Sequence, residues 1–265
     1  SRNWGAEGDT NDEGILDARY RVMKNFMATL AFSQGVPMLA HGDEMARTQQ
    51  GNNNAYAQDN ELAWMNWELD DRRRDLLEFT RTVFAIRHLN PVLRRRTFFR
   101  GDVVDHSGVK DLTWLRPDGE EMREEDWKFA AAHALAMLIH GEATDEMDDR
   151  GRPIHGDTMV LLLNASDGEV RFTLPVFNDA ADSETGGRRK GVWTELVNTA
   201  RKDLWHIREG WIGVAPFSLV LLRYGRDRRV SVQGGDAAAN AASVATAGEA
   251  VPVLVGAQET GGSPG

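Results

Sequence analysis

The sequence contains no cysteine, which excludes disulfides and thiolate metal sites. Its 7 histidines form no HExxH motif or similarly spaced ligand pair, so it carries no signature of a catalytic metal. A Gly-rich phosphate cradle and a GxSxG elbow are also missing. No apolar run approaches the roughly 18 residues that a bilayer span requires. Positive charge is scarce: 31 Lys+Arg stand against 41 Asp+Glu, a net charge of −10. Binding a polyanion needs a basic face, so the balance argues against a nucleic-acid partner. Two short basic runs, Arg72-Arg73-Arg74 and Arg94-Arg95-Arg96, are flanked by acids or apolar residues and read as solvated helix faces or helix ends. Ser1–Glu13 is polar and acidic and does not read as a signal peptide. The expectation is therefore a cytoplasmic chain with no metal, no cofactor, no membrane span and no nucleic acid.

What is present is ordinary globular material: 265 residues, 41% hydrophobic and 27% charged, enough for one or two domains. After a loop-like start, Asp12 is placed to cap a helix. Ile15, Tyr20, Met23, Phe26, Met27, Leu30 and Ala31 recur at near-helical spacing up to Gly35-Val36-Pro37. Pro37–Ala40 is a short apolar run that ends at His41-Gly42-Asp43-Glu44, as a buried parallel strand would. A long polar loop follows, and long loops are more often functional or disordered than merely connecting. A second helix is predicted over 71–89, closed by Asn90-Pro91.

Beyond Pro91 the pattern changes to short β segments at 112–115, 159–163, 170–174, 192–197 and 217–224. Turn-formers such as Pro117-Asp118-Gly119 and Ser166-Asp167-Gly168 separate them, which predicts an antiparallel sandwich. The segment 129–139 is Ala-rich, yet its place among β segments favours strand. From about Asp227 onward the chain is Gly/Ala/Ser/Val-rich with nothing bulky to bury, and it is predicted to be disordered. The expected division is 1–92, α/β; 93–226, all-β; and 227–265, tail.

The long loop contains "QGNNNAYAQDNELAWMNW", from Gln50 to Trp67. Amides, a carboxylate and aromatic faces are the groups that grip a sugar. Asp59 with Asn60 could hold two hydroxyls, and Tyr56, Trp64 or Trp67 could offer a stacking face. The plainer reading is that the asparagines make Asx turns and the tryptophans pack a core. His41, beside Asp43 and Glu44 at the end of the predicted strand, reads either as functional or as part of a buried hydrogen-bond cluster.

Taken together, "SQGVPMLAHGDEMARTQQGNNNAYAQDNELAWMNW" closely resembles the end of the catalytic barrel in bacterial glycogen debranching enzymes, the isoamylase-type branch of the α-amylase superfamily. "SRNWGAEGDTND" resembles the segment before that barrel's seventh helix. "KDLTWLRPDGEEMREEDW" and "DTMVLLLNAS" resemble its C-terminal β-sandwich. The resemblance covers about residues 1–225. It implies an incomplete (β/α)8-barrel remnant, the last strand with its flanking helices, followed by an antiparallel sandwich and the tail. One departure is Ala57, where members of the family usually have cysteine.

The family hydrolyses α-1,6-glucosidic branch linkages with two carboxyl groups about 5 Å apart, through a covalent glycosyl intermediate. Its nucleophilic aspartate, acid/base glutamate and third aspartate lie on earlier strands, and no residue here matches their motifs. The resemblance implies no catalytic residue in this chain. It implies substrate-binding roles for Asn53, Asn54, Tyr56, Asp59 and Asn60 along the cleft, with Asp43 and Glu44 bracing its floor. The expected partner is an α-glucan, glycogen or maltodextrin. Two alternatives stay open. One is a non-catalytic α-glucan-binding or interaction module; the other is half of a split debranching enzyme that associates with an upstream barrel fragment.

Overall fold

The computed structural model describes residues 2–104, 108–144, 146–177, 191–207 and 209–226. The predicted tail at 227–265 lies outside the described residues. Among those residues the fold is mostly antiparallel sheet with a few helices.

Helix α1 spans Glu13–Phe32, and the Asp12 side chain accepts a hydrogen bond from Ile15 N at 3.0 Å, as a cap should. Helix α2 spans Asp71–Leu89 and is capped in the same way by Asp70, which accepts from Arg73 N at 2.8 Å. Met27, Ala28, Ala31 and Phe32 of α1 pack with Leu76, Val83 and Ile86 of α2 in one cluster. That cluster continues into the sheet below.

The strands are β1 (Leu112–Leu115), β2 (Ala134–Ile139), β3 (Thr158–Asn164), β4 (Val170–Thr173), β5 (Gly191–Asn198), β6 (His206–Ile207), β7 (Trp211–Val214) and β8 (Ser218–Arg226). A short helix, α3 (Glu124–Trp127), joins β1 to β2. Six strands form one antiparallel sheet in the order β1-β2-β3-β8-β5-β6; β4 and β7 form a second, two-stranded sheet. Alternation along the central strands divides two cores. Met159, Leu161, Leu219 and Leu221 join the cluster of α1 and α2. Val160, Leu162, Val220 and Leu222 pack instead with Phe172, Ile212 and Val214 of the small sheet. Both faces of β3 and β8 are therefore covered, which is why they read as unbroken apolar runs.

The β segments predicted from the sequence coincide with β1, β3, β4, β5 and β8, and the ambiguous 129–139 segment is strand from Ala134. Strands β6 and β7 went unrecognised: one has two residues, and the other is interrupted by Gly213.

Two expectations are corrected. Pro37–Ala40 form no strand, and Val36 and Met38 are 95% and 89% exposed. A strand exists only where a neighbour completes its ladder. Every strand pair among the described residues belongs to the two antiparallel sheets, so none lies beside Pro37–Ala40. Leu39 alone of the run packs against the helix core. The run Arg94-Arg95-Arg96 is not simply solvated either. The Arg95 side chain is 3% exposed and pairs with Asp111 at 3.0 Å. The other run divides: Arg72 and Arg74 pair with acids on the helix surface, whereas Arg73 turns back to backbone carbonyls.

Candidate functional site

The segment between the two helices folds as a chain of tight turns. Gly42 enters it at φ 90, a left-handed conformation that suits glycine. A Cβ there would also meet the side chain of Arg47 at 2.8 Å. Asp43–Met45 make a single 3-10 turn. Glu44 Oε2 accepts from Gly42 N at 3.0 Å, so this carboxylate braces the turn from within.

Asx turns follow. Asn52 Oδ1 accepts from Asn54 N (2.9 Å), Asn54 Oδ1 from Tyr56 N (3.2 Å) and Asn60 Oδ1 from Leu62 N (3.0 Å). These asparagines spend their oxygens on the backbone and keep the amide N–H2 as a donor. Asn60 Nδ2 donates to Gln58 Oε1 at 3.0 Å. Asp59 Oδ1 accepts from the indole Nε1 of Trp64 at 2.8 Å, which fixes the ring. Trp64 stays 57% exposed and Tyr56 87% exposed. The tryptophans of this loop are not core residues; they present their rings to solvent.

A cleft of about 440 Å³ opens beside Trp64, lined also by Arg47, Gln50, Glu61, Asn66 and Arg73. None of the seven residues implied by the resemblance lines it. Asp43, Asn53, Asn54, Tyr56, Asp59 and Asn60 lie exposed on the surrounding turns, and Glu44 is half-buried beneath Gly42. Asp59 reaches the cleft only through Trp64.

Arg73, like Arg47, Gln50 and Asn66 of the same lining, is a residue that sequence reasoning missed. Its Nε donates to Met45 O, its Nη1 to Glu68 O and its Nη2 to Asn66 O, each at 2.9 Å. One guanidinium in the first turn of α2 thus clamps the start and the end of the loop. Its only sequence signal was the Arg72-Arg73-Arg74 run, in which nothing marks the middle residue.

Arg73→Met is expected to cost about 1–2 kcal/mol, the size of a few partly exposed hydrogen bonds to neutral acceptors. The larger effect should be local, as faster amide exchange across 45–68 measured by mass spectrometry. Arg73→Lys should not restore protection, because an ammonium lacks the planar fork that spans three carbonyls. Unchanged exchange in the methionine variant would rule out the clamp.

Chemically, the cleft offers amide, guanidinium and carboxylate groups around one indole face. That set suits a neutral polyhydroxyl ligand. Among the described residues, no group of three or more His, Asp or Glu side chains is arranged to hold a metal ion. No helix among them is long and apolar enough to cross a membrane.

Comparison with known proteins places the chain in context. Residues 111–206 match the family described as isoamylase, C-terminal. The chain is 47% identical over 179 residues to the glycogen operon protein GlgX homolog of Mycobacterium tuberculosis, covering 66% of this chain and 25% of the relative. It is 38% identical over 141 residues to a glycogen debranching enzyme of Pectobacterium carotovorum, covering 53% of this chain and 20% of that enzyme. The chain thus spans a quarter or less of the length of these relatives. In fold it is similar to a pullulanase from Paenibacillus barengoltzii solved with maltohexaose and α-cyclodextrin: TM-score 0.51, 21% identity, 84% of this chain and 26% of that one. A pullulanase from Bacillus acidopullulyticus gives TM-score 0.50 at 19% identity over 81% of this chain and 21% of that one.

Proposed function

We propose that this chain, whose residues 111–206 belong to the isoamylase C-terminal family, is the carboxyl-terminal part of an α-1,6-glucosidase that debranches glycogen or related dextrins. The observation that carries this reading is the 47% identity over 179 residues to the mycobacterial GlgX homolog. In this reading residues 1–92 are the end of a (β/α)8 barrel, to which α1 and α2 belong. Residues 93–226 are the C-terminal sandwich. The loop 41–70 is one wall of the glucan cleft, with Trp64 as the stacking face and Asn53, Asn54, Tyr56, Asp59 and Asn60 on its rim.

Glycoside hydrolysis needs two carboxyl groups facing each other across the bond. Glu44 is committed to Gly42 N and Asp59 to Trp64, so both serve to shape the loop. The isolated chain should therefore bind α-glucan without cleaving it. Incubated with amylopectin, it should release no reducing ends. Titration calorimetry with maltoheptaose should show weak saturable binding, and Trp64→Ala should reduce it about fivefold, the worth of one aromatic contact. Turnover abolished by a substitution within this chain would overturn the non-catalytic assignment. Binding indifferent to Trp64→Ala would overturn the role of the loop.

A further inference from the structure

A second cleft of about 440 Å³ lies away from the loop, between the segment preceding α1 and the turn that leads into β8. Arg2, Asn3, Trp4, Ala18, Arg21 and Phe217 line it, and it shares no lining residue with the cleft beside Trp64. Its aromatic corner is held in an unusual way. Trp4 has φ 58 and Phe217 has φ 46, both in the left-handed region that bulky residues rarely occupy. Strain of this kind persists only where the surroundings enforce it, and it gathers at binding sites. Here the rings meet edge-to-face, with centroids 5.2 Å apart and planes at 81°. Asn25 Nδ2 donates to Phe217 O at 2.8 Å and fixes that side. Arg19 Nη1 donates to Gly8 O at 2.8 Å and its Nε to Asn3 O at 3.2 Å, which fixes the other.

The charge is equally unusual. The chain carries −10 overall, yet two arginines line this cleft. The Arg2 guanidinium lies 4.3 Å from the Trp4 ring centroid and 5.1 Å from that of Phe217. Arg21 Nη1 donates to Pro216 O at 3.3 Å, and its remaining donors are available. Neither arginine forms an ion pair among the described residues. Of the three carboxylates in the segment before α1, Glu7 is engaged by Asn3 Nδ2 at 3.5 Å and Asp12 by Ile15 N at 3.0 Å; none of Glu7, Asp9 and Asp12 lines the cleft.

We infer that this cleft binds a small phosphomonoester carried on a sugar-sized ring. Two guanidiniums match the charge of a phosphomonoester, close to −2 at neutral pH, and their forks suit its oxygens. The Trp4–Phe217 corner supplies the apolar wall beside which the ring sits. The volume falls within the range of small-molecule sites, about 300–1,000 Å³. A hexose phosphate and a nucleoside monophosphate share this chemistry, and the experiment separates them.

The full 265-residue chain is titrated calorimetrically with glucose 6-phosphate, adenosine 5′-monophosphate, inorganic phosphate and glucose. Saturable binding of at least one of the two esters is expected, with phosphate and glucose each about tenfold weaker or more. The tighter ester identifies the ring. Arg2→Gln and Arg21→Gln should each weaken that ester about tenfold. Arg2 is exposed, so Arg2→Gln should leave the melting temperature unchanged and separates loss of binding from loss of fold. Absence of saturable binding by either ester would overturn the inference. So would binding by Arg2→Gln and Arg21→Gln equal to that of the parent.

Discussion

Asp111→Ala is expected to lower the unfolding free energy by about 3–5 kcal/mol, the cost of breaking a buried ion pair from one side. Asp111 is 1% exposed and sits just before β1. Its Oδ2 accepts from Arg95 Nη1 at 3.0 Å and from Arg100 N at 3.1 Å; its Oδ1 accepts from Gly101 N at 2.9 Å. One carboxylate thus gathers the connection between α2 and the sheet onto the edge of β1. Alanine would leave the buried Arg95 guanidinium without its carboxylate and strand two backbone N–H groups. Arg95 also lies over the Phe99 ring, 4.6 Å from its centroid, so it cannot swing out to water without uncovering that ring.

Urea unfolding at neutral pH measures the loss. Asp111→Asn keeps an acceptor oxygen and should lose less. The double variant Arg95→Met with Asp111→Leu removes both charges and should recover part of the deficit, since burying an ion pair gains little over apolar packing. An Asp111→Ala variant within about 1 kcal/mol of the parent would mean that the connection is held by other contacts.

The same pair shows where sequence reasoning stops. Helix α1 was legible because its signals are local: Asp12 for the cap, apolar residues on one face, and Gly35-Val36-Pro37 beyond the end. Helix α2 was legible for the same reasons, and the sheet strands for their apolar runs between turn-formers. Arg95 was misread because its partner lies 16 residues away and nothing in "RRR" distinguishes the middle residue from its neighbours. Asn164 is a similar case. Its Nδ2 donates to Gly168 O at 2.8 Å and to Val214 O and Ala215 O at 3.0 Å, joining the end of β3 to the end of β7. A polar residue closing an apolar strand does not announce acceptors 50 and 51 positions on.

The candidate site was half legible for a physical reason. Composition located the loop, because amides and aromatics are conspicuous. It did not tell which side chains face the cleft, because that depends on how the turns stack. The Asx turns consume the asparagine oxygens locally, whereas Arg47, Gln50 and Arg73 are brought in by the return of the chain to α2.

Arg87→Met should lower stability by about 2–4 kcal/mol through the end of the other helix. Helix α1 has no basic residue in its last turn, so its terminal carbonyls and the negative end of its dipole need a cation from elsewhere. Arg87, 8% exposed on α2, supplies it. Its Nη1 donates to Ala31 O at 2.7 Å and Ser33 O at 2.8 Å, and its Nη2 to Gly35 O at 2.5 Å. Burial, with Arg94 nearby, lowers its pKa from the usual arginine value, which marks the desolvation that these carbonyls offset. Methionine preserves much of the volume and isolates the hydrogen-bond loss. Lysine should fall between, since it reaches fewer of the three oxygens at once. Thermal unfolding gives the global loss, and amide exchange at 33–40 gives the local one. That segment leads directly from α1 into the loop beside the Trp64 cleft, for which α-glucan binding is proposed. The methionine variant should therefore also bind maltoheptaose more weakly than the parent, at temperatures where both remain folded. Full affinity alongside raised exchange at 33–40 would show that the loop takes its shape from α2 and Arg73 alone.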